Sequence, residues 1–419
     1  MISPGGSDRW MLFSKGDMMR QLPEGKKIEA CRICGGKLIE ILDLGFHPPS
    51  DAFLTQEQLN EPEVYYPLTL CCCEVCTLAQ LNYIVPRETL FCENYPYETG
   101  VNEGGIKHFK DFADEIIKKC SIKQNDFVVD IGGNDGTFAL NFENHGCKVL
   151  NIDPCGLPSI VKVWKGFWDE DTGTAVKSKH GHADIITATN VLAHTEDLHG
   201  FMKGVEVLLK DDGVFVIETP YLDAMIDGLQ FDQIYHEHLS YFNQYSIQRL
   251  LRVHGMDIWD YEINEMHGGS LRIYAKKGIE TILTEKISSL SIKSLQEFAE
   301  KVKQLKKDLI RTLNNLHSIN EEMYKIVGIA ASAKGNTLLN YCGFDRDTIS
   351  WITDKSTLKQ GKFTPGSHIR VYSDDILIEE QPEFALMLAC NFKKNILKAV
   401  REKGYKGKII IPYPEVHIE

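Results

Sequence analysis

The chain has 419 residues, of which 43% are hydrophobic and 25% charged, and this composition excludes disorder, collagen and a coiled coil as the main architecture. The length predicts two to three domains, and the formal net charge of −13 gives no indication of a nucleic-acid partner. No stretch approaches the roughly 20 apolar residues that a membrane helix needs. The N-terminus lacks the apolar segment of a signal peptide, so we expect a cytoplasmic protein without a membrane partner.

The first predicted domain is a cysteine-rich head. Residues 1–28 are expected to be an extension, and residues 29–90 form the head. Two C-x-x-C pairs can each turn two thiolates toward one ion, and four thiolates leave no open coordination position. We therefore expect a structural zinc ion held by Cys31, Cys34, Cys73 and Cys76. The alternative interpretation is that these are buried cysteines without a metal.

A first α/β unit follows the head. Short apolar runs at 127–131, 148–152, 183–188 and 213–218 are typical of buried parallel strands. A helix is expected to begin at Thr137, and another to end near Lys210. This alternation predicts a Rossmann-like sheet with helices on both faces.

The first of these strands ends in the loop Asp130-Ile131-Gly132-Gly133-Asn134-Asp135-Gly136. Glycines let the backbone turn tightly beside a ligand, and Asp153, at the end of the next strand, can accept hydrogen bonds from ribose hydroxyls. The loop lacks a full G-x-G-x-x-G, so it indicates S-adenosylmethionine rather than NAD, with a plain turn as the alternative. The expected cofactor contacts are Asp130, Gly132, Asn134, Asp135, Gly136, Asp153 and Asn190.

Titratable side chains cluster in 231–242, just beyond the strand at 213–218. Ligands bind at this end of a parallel sheet, and imidazole titrates near neutrality. We therefore expect acid–base chemistry from this segment, with a metal site or a satisfied polar patch as alternatives. His194, at the end of a neighbouring strand, can reach the same pocket.

A charged helix within 285–322 leads to a second α/β unit. Its predicted strands are 326–330, 349–353, 384–388 and 408–411, with a helix at 335–341. Small residues before Lys334 favour an anion site at the start of this helix, with a plain turn as the alternative. His267, Gly268 and Arg272 offer a second close backbone approach with a cation for phosphate.

Taken in order, these motifs resemble the nucleotide-ketosugar C-methyltransferases. The resemblance covers about residues 29–418 and rests on the paired C-x-x-C, Tyr-Pro-Tyr at 95–97, Gly-Asn-Asp-Gly, Tyr-x-Glu-His, His-Gly-Gly, Ala-x-Ala-Lys and the terminal Pro-Glu-Val-His. It implies an α/β protein with an N-terminal zinc-binding domain, a central Rossmann-like S-adenosylmethionine methyltransferase domain (91–275) and a second Rossmann-like domain (276–419). The last of these would help to hold a dTDP-sugar.

The resemblance also implies roles for residues. His238 would be the base, with Tyr235, Glu237 and His194 beside it. The sugar nucleotide would contact Tyr95, Tyr97, His267, Gly268, Arg272, Lys334 and Asn336. The family has serines after Tyr-Pro-Tyr, whereas this chain continues with Glu98 and Thr99, which puts the identity of the sugar in question.

We therefore expect methylation of carbon 3 of a 4-keto-deoxysugar through an enolate, by a monomer or weak dimer. An O- or N-methyltransferase and a non-enzymatic zinc-containing scaffold are the alternatives. Deuterium exchange at the substrate carbon separates the first two, and the cluster of titratable side chains opposes the third.

Overall fold

A computed structural model of the protein describes residues 24–91, 100, 103–155, 158–279, 290–318 and 325–419, without the side chains of residues 103, 267 and 318. The strands are β1 (Lys26–Lys27), β2 (Leu38–His47), β3 (Tyr66–Cys73), β4 (Ala79–Leu81), β5 (Tyr83–Ile84), β6 (Phe127–Ile131), β7 (Lys148–Asp153), β8 (Val163–Lys165), β9 (Ala183–Thr189), β10 (Leu209–Pro220), β11 (Ser240–Tyr241), β12 (Met256–Asn264), β13 (Ser270–Lys277), β14 (Ile326–Ile329), β15 (Ile352–Thr353), β16 (Val371–Tyr372), β17 (Phe384–Met387), β18 (Lys408–Ile411) and β19 (His417–Ile418).

The helices are α1 (Arg87–Leu90), α2 (Glu103–Lys119), α3 (Ala139–Asn144), α4 (Glu170–His180), α5 (Leu198–Leu208), α6 (Leu222–Asp227), α7 (Gln244–Val253), α8 (Ile292–Ser318), α9 (Ala333–Cys342), α10 (Asp375–Glu380) and α11 (Lys393–Glu402). Short 3₁₀ helices lie at Gln58–Asn60, Leu192–His194, Phe231–Gln233, Met266–Gly268 and Cys390–Phe392. In the described part of the chain, no helix is both long enough and apolar enough to cross a membrane.

The head is built on a four-stranded antiparallel sheet in the order β11-β4-β3-β2. Three of its strands come from the head, but β11 lies in the central unit, just after the predicted catalytic residue His238. Ser240 pairs with Gln80 in this sheet. The sheet of the head therefore continues directly into the segment that carries the predicted catalytic residues.

The central unit is a seven-stranded sheet in the order β12-β13-β10-β9-β6-β7-β8. Strands β6 to β10 run parallel, and the hairpin β12–β13 closes one side in antiparallel pairing. All five residues of β6 are buried, as expected for a strand covered on both faces. The strand order reverses between β6 and β9, so a ligand crevice is expected at their carboxyl ends.

The C-terminal unit repeats this plan with six strands in the order β16-β15-β14-β17-β18-β19. All pairs are parallel except β18–β19, and the order reverses between β14 and β17. The predicted fold class, a zinc-type head followed by two Rossmann-like units, is confirmed. The predicted domain boundaries stay a prediction.

The long helix α8 joins the head to the C-terminal unit. Its apolar residues recur every three or four positions, which places them on one face. They share one buried core with the leucines of β2 and β3 and with residues of α9. The buried residues of α8 are Leu295, Phe298, Ala299, Val302, Leu305, Leu309, Leu313 and Leu316.

Candidate active site

The four predicted zinc ligands converge in the head, and their sulfur atoms all lie within 4.8 Å of one another. The Sγ atoms of Cys31 and Cys76 are 3.4 Å apart, as are those of Cys34 and Cys73. Tetrahedral zinc with Zn–S bonds of about 2.3 Å would place neighbouring sulfurs about 3.8 Å apart. The four thiols therefore fit a structural zinc ion with little adjustment.

Both cysteine pairs sit in tight turns that the local sequence allows. Gly35 donates its N–H to the Cys31 carbonyl at 2.9 Å, and its φ of 69° suits glycine. Backbone N–H groups of Ile33 and Val75 lie 3.4 Å from the sulfurs of Cys31 and Cys73. Such bonds stabilise thiolates in the outer shell of a metal site.

A cavity of about 1000 Å³ lies where the carboxyl ends of the two Rossmann-like sheets face each other. The central unit lines it with the loops after β6, β7 and β9, and the C-terminal unit with residues 332–334 and 389–392. Both strand-order reversals meet here, so each unit presents its expected ligand crevice to the same space.

The loop after β6 has the shape that its glycines predict. Gly132 has a φ of 65°, and a Cβ on it would overlap the side chain of Val191. Asp153, buried at the end of β7, accepts hydrogen bonds from the N–H groups of Asn134 at 2.9 Å and Cys155 at 2.8 Å. These bonds fix the carboxylate at the wall of the cavity, and each oxygen keeps a lone pair for a ligand hydroxyl.

Polar atoms without a partner among the described residues mark the same wall as a ligand site. They are Oδ2 of Asp130 and Oδ1 of Asn190, both buried. Burial raises the pKa of Asp130 to about 7, although Thr187 donates a hydrogen bond to it. Buried polar atoms are rarely left unpaired. This wall therefore fits the ribose and amino-acid groups of S-adenosylmethionine.

Five of the seven predicted cofactor residues line the cavity: Asp130, Gly132, Asn134, Asp153 and Asn190. Asp135 and Gly136 do not. The Asp135 carboxylate accepts the N–H groups of Gly100 at 2.7 Å and Thr137 at 3.0 Å, so it shapes the loop. Gly136, with a φ of 86°, allows the turn into α3.

Tyr235, His238 and His194 lie close to one another and also line the cavity. The Nδ1–H of His238 donates to the Gln233 carbonyl at 2.9 Å, because a carbonyl can only accept. Nε2 therefore carries the lone pair, and it accepts the Tyr235 hydroxyl at 2.8 Å. The His194 ring lies 4.9 Å from the His238 ring, centroid to centroid. In the neutral form of His238, Nε2 is thus the nitrogen that can accept a proton.

His194 is held as a neutral ring. Burial lowers its pKa to about 4, and one ring nitrogen is bonded to the Glu237 backbone carbonyl. Its Nδ1 is buried and has no hydrogen-bond partner among the described residues. The ring is uncharged near neutral pH, so it can shape the pocket or accept a hydrogen bond.

The carboxylate of Glu237 lies outside the cavity lining, in contrast to the other three predicted catalytic side chains. Ser50 donates to its Oε2 at 3.3 Å. Burial, with added repulsion from the Asp51 carboxylate, raises the pKa of Glu237 to about 8. The Glu237 carboxyl group therefore does not face the cavity. The backbone carbonyl of the same residue accepts a hydrogen bond from His194.

The predicted sugar-nucleotide residues are only partly brought together. Lys334 lines the cavity from the C-terminal unit. Asn336 does not, and its Nδ2 donates to the Ser50 carbonyl at 2.6 Å. Gly268 lies outside the lining, against Gln230. Tyr95, Tyr97 and the side chain of His267 lie outside the described residues.

The expectation that Arg272 binds phosphate requires correction. Its guanidinium donates twice to Glu218, at 2.9 and 2.8 Å, and once to Glu115 at 2.6 Å. Arg272 is 4% exposed and does not line the cavity. Its donors are consumed by this buried ion pair, so it stabilises the β10–β13 pairing instead of binding a ligand.

Sequence reasoning missed several charged residues of the cavity wall, including four that come from outside the central unit. Lys26, Asp51 and Arg87 come from the N-terminal part of the chain, and Lys359 comes from the C-terminal unit. No motif surrounds these residues in the sequence. Only the docking of the three units places them together.

Comparison with known families gives three matches in chain order. Residues 31–91 match a family described as a putative zinc binding domain, and residues 106–261 match a methyltransferase domain. Residues 265–414 match the C-methyltransferase C-terminal domain. The three matches follow the head, the central unit and the C-terminal unit in order, except that the last match also includes β13 of the central sheet.

The C-methyltransferase NovU of Streptomyces niveus is 29% identical over 418 residues, which cover 94% of this chain and 97% of that protein. Among solved structures, the S-adenosylhomocysteine-bound methyltransferase CalO1 of calicheamicin biosynthesis is 14% identical, with a TM-score of 0.31, over 40% of this chain and 54% of that chain. The PH0226 protein of Pyrococcus horikoshii is 14% identical, with a TM-score of 0.33, over 42% of this chain and 92% of that chain.

Proposed function

Since this chain belongs to the S-adenosylmethionine-dependent C-methyltransferases, with a zinc-binding head and a C-methyltransferase C-terminal domain, we propose that it methylates carbon 3 of a nucleotide-linked 4-keto-deoxysugar through an enolate. The non-enzymatic scaffold is thereby set aside. One observation carries the proposal: the basic Nε2 of His238 lies at a cavity that both Rossmann-like units line.

The first step in this proposal is removal of a proton from carbon. A C–H beside a carbonyl is acidic enough for an imidazole base, and a 4-keto sugar supplies that carbonyl next to carbon 3. His238 Nε2 takes the proton while Nδ1–H stays bound to the Gln233 carbonyl, which stabilises the imidazolium that forms. The electron pair of the C–H bond becomes the enolate.

The second task is to stabilise charge on the enolate oxygen. Tyr235 is the suitable donor, because its hydroxyl already points at His238 Nε2. When that nitrogen takes a proton, the phenol loses its acceptor and can donate to the enolate instead. A preorganised donor aimed at developing charge is a large contribution to catalysis. Neutral His194 completes the pocket wall behind the two rings.

The proposed cofactor residues line the same cavity. S-adenosylmethionine, when bound, supplies an electrophilic methyl group. Asp153 and Asn190 would hold its polar groups, and the φ of 65° at Gly132 lets the backbone approach it closely. Holding the two reactants together in one enclosed site supplies much of the rate.

A nucleotide diphosphate suits the remaining wall. The cavity is lined by seven carboxylate side chains and by four cationic ones, Lys26, Arg87, Lys334 and Lys359, on a chain whose overall charge is −13. A local cluster of cations can bind phosphate whatever the net charge of the protein. We take dTDP as the nucleotide from the family resemblance, and a monomer or weak dimer as the state in solution. None of the described cysteines forms a disulfide, which suits the reducing cytoplasm.

The test uses 4-keto-deoxysugars linked to dTDP, CDP or GDP in deuterium oxide. Without S-adenosylmethionine, the enzyme should exchange the hydrogen on carbon 3 of the accepted sugar. With it, mass spectrometry and NMR should find a methyl group on that carbon. Methyl transfer to oxygen or nitrogen without carbon exchange would establish the alternative reaction class.

A further inference from the structure

Arg32 stands between the two cysteines of the first zinc-binding pair, yet its side chain reaches into the central unit. Its Nη1 donates to the Thr195 carbonyl at 2.8 Å. Its Nη2 donates to Ser240 Oγ at 2.7 Å and also to the Leu239 carbonyl. Thr195 directly follows His194, and Leu239 directly follows His238. One guanidinium therefore binds the backbone beside both histidines.

The guanidinium is itself held in place. Its Nε donates to Gln80 Oε1 at 3.1 Å, and Gln80 lies in β4, opposite Ser240 in β11. The next residue, Ile33, accepts a hydrogen bond from His199 Nε2 at 3.0 Å through its carbonyl. The first cysteine pair is thus anchored to the central unit on two sides. A planar guanidinium can bridge several acceptors in fixed geometry, which a lysine ammonium does not reproduce.

The charge of Arg32 also fits this position. The acceptors of these hydrogen bonds are neutral oxygens, which balance no charge. Zinc bound by four thiolates would carry a net charge of about −2, and two of those thiolates flank Arg32 in the chain at Cys31 and Cys34. A filled zinc site would therefore favour the partly buried cation electrostatically.

We propose that Arg32 is a positioning residue of the methyl-transfer site. It holds the segments that carry His194 and His238 against each other. Because Arg32 belongs to the zinc-binding head, a folded head keeps this ring pair in place. The inference rests on the proposed function insofar as the two histidines are taken to be catalytic. The rings are 4.9 Å apart, and a displacement of about 1 Å in a catalytic group can cost roughly 100-fold in rate.

The variants are Arg32→Met, which removes the guanidinium, and Arg32→Lys, which keeps a charge. The matched control is Glu74→Ala, because Glu74 occupies the same position in the second cysteine pair and its side chain is exposed. We expect Arg32→Met to lower kcat about 10- to 100-fold, with bound zinc, S-adenosylmethionine affinity and sugar KM within about twofold of wild type. The kcat of Arg32→Lys should exceed that of Arg32→Met by less than threefold. Glu74→Ala should match the wild type.

Chemical rescue separates positioning from general damage. In Arg32→Ala, millimolar guanidinium ion should restore part of kcat, whereas Glu74→Ala should not respond. If Arg32→Met loses zinc in proportion to its activity, Arg32 serves the metal site and the proposal is wrong. A kcat of Arg32→Met within twofold of wild type would also overturn it.

A spectroscopic measurement does not depend on activity. With ¹⁵N-labelled histidine, the ring signals of His194 and His238 should shift in Arg32→Met, and that of exposed His145 should not. Unchanged signals for both site histidines would contradict the positioning role. If the wild type neither exchanges carbon-bound hydrogen nor forms a C-methyl product, the proposed function fails, while this comparison still tests Arg32.

Discussion

At the scale of single residues, the site depends on which nitrogen of His238 is basic. The Gln233 carbonyl fixes the proton on Nδ1, so Nε2 carries the lone pair with which His238 would act as the base. We expect His238→Asn to lower turnover by about 10²- to 10⁴-fold and to abolish deuterium exchange, with cofactor affinity retained. His236→Asn is the matched control, because His236 is buried against Tyr66, outside the cavity lining. If His194→Asn loses exchange and His238→Asn keeps it, His194 is the base.

Glu237 leads to a prediction for stability. Burial and the nearby Asp51 raise its pKa from 4.5 to about 8, so between these values the folded chain binds more protons than the unfolded chain. The free energy of unfolding therefore falls as the pH rises through this interval. We therefore expect the difference in melting temperature, Glu237→Gln minus wild type, to increase by a few degrees as the pH rises from 4.5 to about 8. A parallel pH dependence of the two proteins would contradict the raised pKa, and exposed Glu143→Gln serves as the control.

At the scale of elements, the loop after β6 and the end of β7 act as one cofactor site. Asp153→Asn removes the charge that would accept ribose hydroxyls, and hydrogen bonds to charged groups are worth about 1.5–3 kcal/mol. Calorimetry should find S-adenosylmethionine binding weakened about 10- to 100-fold. Asp135→Asn, which alters the same loop outside the cavity lining, should bind the cofactor within about threefold of wild type. Equal affinities for wild type and Asp153→Asn would remove Asp153 from the site.

The sequence predicted the strands better than it predicted the contacts. Apolar runs identified β6, β7, β9, β14, β17 and β18 closely, because parallel strands are buried on both faces. The hairpin β12–β13 was missed, since exposed Trp259 and Ile263 obscure its alternation. The helix expected from Thr137 is α3, which begins at Ala139, and the helix expected to end near Lys210 ends at Leu208.

The site was predictable where motifs carried it and not where docking created it. The thiols of the head and the Tyr-x-Glu-His segment could be read from spacing and from family resemblance. Arg272 was misassigned because its partner Glu218 lies on another strand, and pairing across strands does not show in local sequence. Asp51 and Lys359 are brought to the cavity by units that meet only in the folded chain.

At the scale of the whole molecule, two units line the cavity, and we expect them to have separable tasks. Lys334 belongs to the C-terminal unit, whereas the cofactor wall belongs to the central unit. We expect Lys334→Met to raise the sugar-nucleotide KM about tenfold or more, because a phosphate contact is lost, and to leave cofactor affinity unchanged. Exposed Lys394→Met is the control. A weaker cofactor affinity with an unchanged sugar-nucleotide KM would show that Lys334 contacts S-adenosylmethionine instead.

The metal content of the head gives a further prediction. Purified protein should contain about one zinc ion per chain, and Cys73→Ser should lower zinc content and the melting temperature together. Metal analysis and thermal unfolding measure both quantities. A Cys71→Ser variant is the control, because Cys71 lies outside the four-thiol cluster. Well under one equivalent of zinc in the wild type would contradict the site.

The pairing of β11 with β4 has a consequence for biosynthesis. As the ribosome makes this chain, β4 emerges with the head, but its second neighbour emerges only after most of the central unit has been translated. Until then one side of β4 has no partner strand, and an exposed strand edge of this kind can pair with another chain. At about 5–20 residues per second the exposure lasts many seconds. The head therefore cannot complete its four-stranded sheet on its own during translation. The sheet is complete only after the segment that contains β11 has been synthesised.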